Sequence, residues 1–495
     1  MEEGKPQTPA VESVSQDHDS RDEKQAPLDA RGPSDPNNPQ YWSESRKRRM
    51  LVVLCVAALL TDWGMTWGSP LFESQAVYWN MTAASVSSSL SGGVFLQGAG
   101  GLFAVPLTQR FGRLPVLFWS QFLSCVVVIG CALARNFAGF TAARTVEGLV
   151  NTAPQIIGLS IIHDMYSFSE RTRKINIWSY AFLAGPFMGP FCAALIITRL
   201  NWRQDFGILA AMYGFSFLLT ACLGEETLYD AETLDTPKTQ PQQKKSVVDQ
   251  LKVLTGITGI QAKGRPGVFT VLKDTFSIGL KPHVLIISMT YYMFVTMWSV
   301  GLATTIPELV VVPPLSFGAY GVALLYLAPA IGGFFGEIWG HFFNDWLCNS
   351  YLRKHNGVWV PERRLWAFYP AAVFAICSMV LIGESLGKGL HWVALAFGWA
   401  MYNAATVTAT TAISAYMMDC FPKHVALVSS IVNFWRTTGG FCVVYFQLQW
   451  VALNGAAVVF GCQAAIIAAG FAGVIITQVW GQGWREKYPP PPDEN

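Results

Sequence analysis

The chain has 495 residues, of which 52% are hydrophobic and only 13% charged, with a formal net charge of +2 and a mean hydropathy of +0.33. That balance is too apolar for a soluble multidomain protein and makes a lipid bilayer the expected solvent. No basic stripe is interleaved with aromatics, which argues against a nucleic-acid partner. The ten cysteines show no metal-ligand or disulfide spacing. No phosphate loop or nucleophile–base set is present either, so neither cofactor, metal nor enzyme chemistry is expected.

Residues 1–45 open the chain, rich in Glu, Asp, Ser, Pro and Gln, and are expected to be a disordered tail. The tail does not read as a cleavable signal, so the first apolar segment should stay as a span. Segments of about 20 mostly apolar residues, enough to cross a bilayer, recur at 50–70, 86–107, 114–134, 139–160, 175–198, 205–224, 284–304, 315–339, 366–386, 391–415, 425–447 and 457–480. This predicts an all-α membrane protein of 12 transmembrane helices in two six-helix halves, 46–224 and 284–480, followed by a cytoplasmic tail, 481–495. A central loop, 225–283, divides the halves. In it Val247, Leu251 and Leu254 share one helical face, which suits either a short helix on the membrane surface or a plain linker.

Orientation follows from the short loops. With the N-terminus inside, Arg46, Arg48, Arg49, Arg110, Arg113, Lys174, Arg353, Arg363, Arg364 and Arg485 fall on the cytoplasmic side. Only Arg135, Arg199, Arg203 and Lys388 fall outside. Cations near span ends are retained in the cytoplasm, so both termini should be cytoplasmic. Asn80-Met-Thr82 is a glycosylation sequon, but it lies close to the second span.

Three motifs carry a family resemblance. Between the second and third spans stands Gln109-Arg110-Phe-Gly112-Arg113, where a tight turn needs glycine and paired cations face the cytoplasm. The fourth span holds Arg144-Thr-Val-Glu147-Gly148, an intramembrane cation and acid at i and i+3. The fifth holds Gly185-Pro186-Phe-Met-Gly189-Pro190, whose small residues allow close helix approach and whose prolines bend the helix. Together these resemble the signature loop, the R-x-x-x-G element and the antiporter signature of the major facilitator superfamily. Similarity to its fungal twelve-span drug:proton antiporter branch runs over about residues 35–480. Val105, Gln109 and Leu114 depart from the signature loop, and Asp345 with Arg363 and Arg364 stand where the second half should repeat it.

The resemblance implies the major facilitator fold, conformational roles for Arg110, Gly112, Arg113, Gly185, Pro186, Gly189 and Pro190, and a part for Arg144 in proton coupling. On the residues alone, Asp62 or Glu147 could carry the proton, because an apolar setting favours the neutral carboxyl. Either could equally be a structural acid. Tyr291, Tyr292, Trp298, Tyr402, Asn403, Asn433 and Arg436 could line a pocket for an amphipathic substrate, or pack between helices. Glu337 is expected near the inner end of its span. The expected activity is proton-coupled export of drugs, toxins or secondary metabolites by a monomer in the plasma membrane, alternatively the vacuolar membrane. An uptake permease for a nutrient, polyamine or vitamin is the competing reading.

Overall fold

Hydrocarbon offers no partners to backbone amides, so apolar runs that cross it must bond internally and become helices. The computed structural model describes residues 38–166, 168–228, 247–261, 265–355, 359–422 and 424–489. Twelve rods account for most of them. The first half holds α1 (Glu44–Trp67), α2 (Ser89–Phe111), α3 (Arg113–Leu133), α4 (Phe137–Asn151, resumed as Ala153–Met165), α5 (Phe168–Ile196) and α6 (Trp202–Leu223). The second holds α7 (Pro282–Ile287, a π-helical turn at Ser288–Met293, then Met297–Val311), α8 (Ala319–Leu325, then Leu327–Lys354) and α9 (Phe368–Gly387). It closes with α10 (Trp392–Cys420), α11 (Val425–Asn454) and α12 (Ala456–Lys487).

Among the described residues nine helices are long and apolar enough to cross a membrane. The other three rods, α4, α10 and α11, are as long but carry more polar cargo, including Arg144, Glu147, Asn151, Asn403, Asn433, Arg436 and Gln447. Helices that hold polar groups inside a bundle lose apolar score without losing their place in it.

Packing reveals an internal duplication. In the first half α1 packs on α5, α2 on α4, α3 on α6 and α3 on α4. Six rods later α7 packs on α11, α8 on α10, α9 on α12 and α9 on α10. Among the described residues the halves meet chiefly at two seams, α2 against α11 and α5 against α8, which exchange under the same shift of six, and α11 also touches α4. That relation is the parallel repeat in which two six-helix halves are related by an axis along the membrane normal.

The first and last described residues and the described parts of the central segment share one face of the bundle, here the terminal face. The Arg46 Nε donates to Glu225 Oε2 at 2.7 Å, and Lys281 Nζ donates to the Pro489 carbonyl at 2.5 Å. The tail expected as disordered to residue 45 is ordered from Asn38. Its side chain caps a 3-10 turn at Pro39–Tyr41, and Trp42 is buried beneath the Arg46 guanidinium, 3.9 Å from the ring centre. Residues 1–37 lie outside the described residues. The central segment forms helices Val247–Leu254, Ile257–Gln261 and Val268–Gly279.

Candidate transport site at the seam of the two halves

The site is built on α1. Two glycines of α5 let that helix touch the α1 backbone: a Cβ at Gly185 would meet the Leu59 oxygen at 2.8 Å and the Trp63 nitrogen at 2.9 Å, and one at Gly189 the Trp63 oxygen at 2.6 Å. Pro186 and Pro190 stand within the same helix. The Gly-Pro segment therefore presses on α1 at the turn that carries Asp62. On the matching crossing of the second half, a Cβ at Gly439 of α11 would meet the Met293 oxygen of α7 at 2.7 Å.

Asp62 is buried and faces three helices at once. Gln97 of α2 donates to its Oδ1 at 2.6 Å, Gln155 of α4 approaches Oδ2 at 3.5 Å, and Arg436 of α11 pairs with Oδ2 at 3.3 Å. Arg436 also donates to Asn433 Oδ1 at 3.2 Å, and Asn433 Nδ2 reaches the Gln97 carbonyl at 3.4 Å. An acid from the first half and a guanidinium from the second are thus joined across the seam. A buried ion pair costs desolvation that good geometry and further hydrogen bonds offset, and here two glutamines and an asparagine supply them.

Arg144 and Glu147 lie on the other side of α1, both fully buried, with Arg144 Nη1 to Glu147 Oε2 at 2.6 Å. The guanidinium does more than pair. It donates to the Gly64 carbonyl at 3.0 Å and to the Met65 carbonyl. These belong to the last turn of α1, whose carbonyls have no partner within the helix, and a cation there also meets the negative end of the helix dipole. Arg144 therefore caps α1 where the chain breaks at Gly68 before resuming as Ser69–Leu71 and Phe72–Trp79. Tyr213 of α6 and Asn151 of α4 complete the group: the Tyr213 hydroxyl donates to the Leu60 carbonyl at 2.8 Å, and Asn151 Nδ2 donates to Tyr213 at 2.7 Å and to the Thr61 carbonyl at 2.8 Å.

The second half repeats this device with neutral groups. The Tyr402 hydroxyl of α10 donates to the Val295 carbonyl at 2.7 Å, where α7 leaves its π-helical turn. Tyr291 donates to the Thr406 carbonyl at 3.2 Å, Tyr292 shares a 2.7 Å bond with Ser414, and Asn403 donates to the Pro329 carbonyl at 2.7 Å. Trp298 is fully buried edge-on to Phe446. Of the seven residues predicted for a substrate pocket, Arg436 meets Asp62 and Asn433 meets Arg436. Tyr291, Tyr402 and Asn403 make hydrogen bonds between α7, α8 and α10, and Trp298 packs between α7 and α11.

At the terminal face, Gly112 has φ +108°, a conformation that only glycine adopts without strain. The turn aims Arg113 at α4, where it pairs with Asp164 and donates to the Ser160 carbonyl at 2.6 Å. Glu226, just after α6, accepts from the backbone of Arg113 at 3.0 Å and of Leu114 at 3.1 Å and so caps α3. Arg110 offers its carbonyl to Arg265 at 3.2 Å. In the second half Arg364 meets Asp419 at 2.5 Å and Arg485 meets Glu362 at 3.2 Å.

Sequence reasoning placed Glu225 and Glu226 at the start of the central loop without assigning them a contact, and the structure makes both anchors. It also set Glu337 near an end of its span. The structure buries Glu337 to 9% midway along α8, where Gly336 and Gly340 let α10 close in at Ala404 and Thr408. The rods run farther toward the terminal face than the apolar runs that marked them, and α8 ends only at Lys354. Gln97, Asn151, Gln155 and Tyr213 were missed as well. Their signal was available: a polar amide inside an apolar span needs a partner.

Two duplicated six-helix halves, joined by two seams and an ion pair that crosses between them, are the build of a multi-pass membrane transporter. Known proteins agree with that class. Residues 46–444 match the profile of the Major Facilitator Superfamily, and the chain belongs to that family. It is 26% identical to "MFS-type transporter penM" of Penicillium rubens over 83% of this chain and 80% of that protein. It is 23% identical to "Efflux pump radE" of Floropilus chiversii, covering 87% and 80%. With "Fluconazole resistance protein 1" of Saccharomyces cerevisiae it shares 24%, covering 83% and 74%. Among solved structures, the proton:xylose symporter XylE bound to 6-bromo-6-deoxy-D-glucose superposes with a TM-score of 0.61 at 14% identity, over 89% of this chain and 96% of that one. That likeness concerns the fold alone.

Proposed function

We propose that the chain is a proton-driven exporter of amphipathic organic molecules, of the drug, toxin or secondary-metabolite class, working by alternating access. It acts as a monomer in the plasma membrane with both termini cytoplasmic, the orientation that the loop cations favour. The observation that carries the reading is the Asp62–Arg436 pair across the seam. Two relatives whose names speak of efflux and of fluconazole resistance support the outward direction.

In this reading a proton arriving from the outer side binds Asp62, and the neutral carboxyl no longer holds Arg436. The guanidinium turns to Asn433. The α1–α11 tie is gone, and the halves are free to rock on their α2–α11 and α5–α8 seams. Loss of the proton to the cytoplasm restores the pair. An acceptor on the substrate opens the same pair only on the return stroke, after the proton has left, so that proton and substrate occupy the site in turn and cross in opposite directions. Glu147, the other acid predicted from the sequence, is paired with Arg144 and balances its charge.

The test is substrate-dependent proton exchange in everted vesicles under an imposed proton gradient, across a broad compound panel. Export requires a pH change with at least one compound, lost in Asp62→Asn. Uptake of a nutrient in intact cells that is abolished by uncouplers, with no exchange in the panel, would instead establish the permease reading.

A further inference from the structure

The helix Val268–Gly279, which leads directly into α7, has two apolar faces. Val271, Thr275 and Ile278 are buried against the bundle, where the helix lies across both α2 and α11. On the opposite side Phe269, Phe276 and Leu280 are exposed by 86%, 53% and 68%, with exposed Lys273 between them. Positions 269, 273, 276 and 280 recur at the helical period, so they form one stripe.

Depth decides what covers that stripe. The buried face reaches Ile431, which a Cβ at Gly279 would meet at 3.6 Å, and shares one apolar cluster with Val105. Both residues stand six positions from the terminal-face ends of their rods, about 9 Å inward at 1.5 Å per residue. α11 spans Val425–Asn454, about 45 Å against a hydrocarbon core of about 30 Å, so each end overhangs the core by roughly 7 Å. The helix therefore lies at the boundary between acyl chains and headgroups, the level at which amphipathic helices sit. Lys273 and Lys281 against Asp274 leave the segment a net positive charge, which suits an anionic leaflet.

We infer that this helix is a lipid-responsive clasp: anionic lipid of the leaflet at the terminal face takes up Phe269, Phe276 and Leu280, with Lys273 among its headgroups, and thereby holds the helix across the α2–α11 seam. The assignment of that leaflet as cytoplasmic rests on the proposed orientation; the burial of the stripe in lipid does not.

The test uses the full chain in vesicles of phosphatidylcholine with or without phosphatidylserine, with a nitroxide introduced as an unnatural amino acid at position 276. A control label stands at position 388, in the exposed turn after α9. The label at 276 should collide with oxygen and be shielded from a water-soluble nickel complex, the reverse of 388. Oxygen and nickel accessibility equal to that at 388 would overturn the inference. Phosphatidylserine should strengthen shielding by about fivefold in the seated-to-lifted ratio for one cation near an anionic surface, and Lys273→Glu, a change of two charges, should reverse that increment. Shielding that ignores both phosphatidylserine and Lys273→Glu would refute the anionic-lipid dependence. Phe269→Asn with Phe276→Asn, checked for folding by size-exclusion behaviour, should expose a label at 280 to nickel; unchanged shielding there counts against the clasp.

Discussion

Neutralising either member of the Asp62–Arg436 pair removes an ionic contact in which, among the described residues, a charge on α1 of the first half answers a charge on α11 of the second. At the observed 3.3 Å and an effective dielectric of about 20, the attraction is about 5 kcal/mol before desolvation is set against it. Removing one partner leaves the other buried and uncompensated, which costs about 3–5 kcal/mol. The cost should fall more heavily on Arg436→Gln than on Asp62→Asn. Asp62 is nearly inaccessible, whereas a quarter of the Arg436 side chain stays exposed (7% against 24%) and water can solvate it once its partner is gone. In the double variant no charge is left unpaired, so most of the loss should return. Thermal unfolding of purified wild type, both single variants and the double variant closes the cycle. The expected result is a double variant more stable than Arg436→Gln alone. Losses that simply add, within about 0.5 kcal/mol as they do for distant sites, would show that the pair is not a working contact and would remove the lock from the transport cycle.

Other substitutions probe the frame around that pair. Gly189→Ala puts a methyl 2.6 Å from the Trp63 oxygen and should destabilise by about 1–3 kcal/mol through overpacking, read as a lower unfolding temperature together with slower proton exchange. Arg144→Met strands the Gly64 and Met65 carbonyls and the Glu147 carboxylate; it should abolish folding or transport, and Arg144→Lys, which keeps charge but not the forked geometry, should restore expression only in part, as scored by size-exclusion chromatography. Gly112→Ala forces φ +108° on a residue with a Cβ and should cost about 1–3 kcal/mol, again visible as reduced thermal stability. Glu337→Gln should leave stability near wild type, because the Glu337 Oε2 has no hydrogen-bond partner to lose; a loss of more than a few degrees would mean that its charge is in use.

The fold was legible because a bilayer enforces a coarse code: length and hydropathy give the rods, and loop cations give an orientation. The Gly-Pro segment of α5 was legible for a similar reason, since small residues in a span have few purposes besides close approach. Pairings were not. Nothing in the spacing of Asp62 and Arg436 says that residues so far apart in the chain meet, because the contact depends on how two separate halves are set against each other. The aromatic residues of α7 and α10 were ambiguous in a different way. A tyrosine in a span suits a ligand pocket and a helix-to-helix hydrogen bond equally well, and only the position of the Val295 carbonyl shows that Tyr402 makes the second. Glu225 and Glu226 fell at the start of the central loop, where nothing in the composition marks their carboxylates as the groups that hold Arg46 and cap α3.

The duplication also explains why the charged groups are unequally divided. Both halves must close a break in a helix, α1 at Gly68 and α7 at its π-helical turn, and α4 and α10 supply the donors. In the second half a tyrosine hydroxyl does it, at 2.7 Å, with no ion in the membrane. In the first half the same duty falls to a guanidinium, which must then be matched by Glu147. A neutral donor suffices for the structural role, so the charge at Arg144 is an expense beyond what capping requires. It sets a fixed positive charge behind α1, on the side away from Asp62, and Glu147 balances it. If that balance matters to the cycle, replacing Glu147 by Gln should alter proton exchange without moving the α1 cap. Exchange at the wild-type rate would assign the whole Arg144–Glu147 pair to architecture and leave the seam pair as the only ionic element of transport.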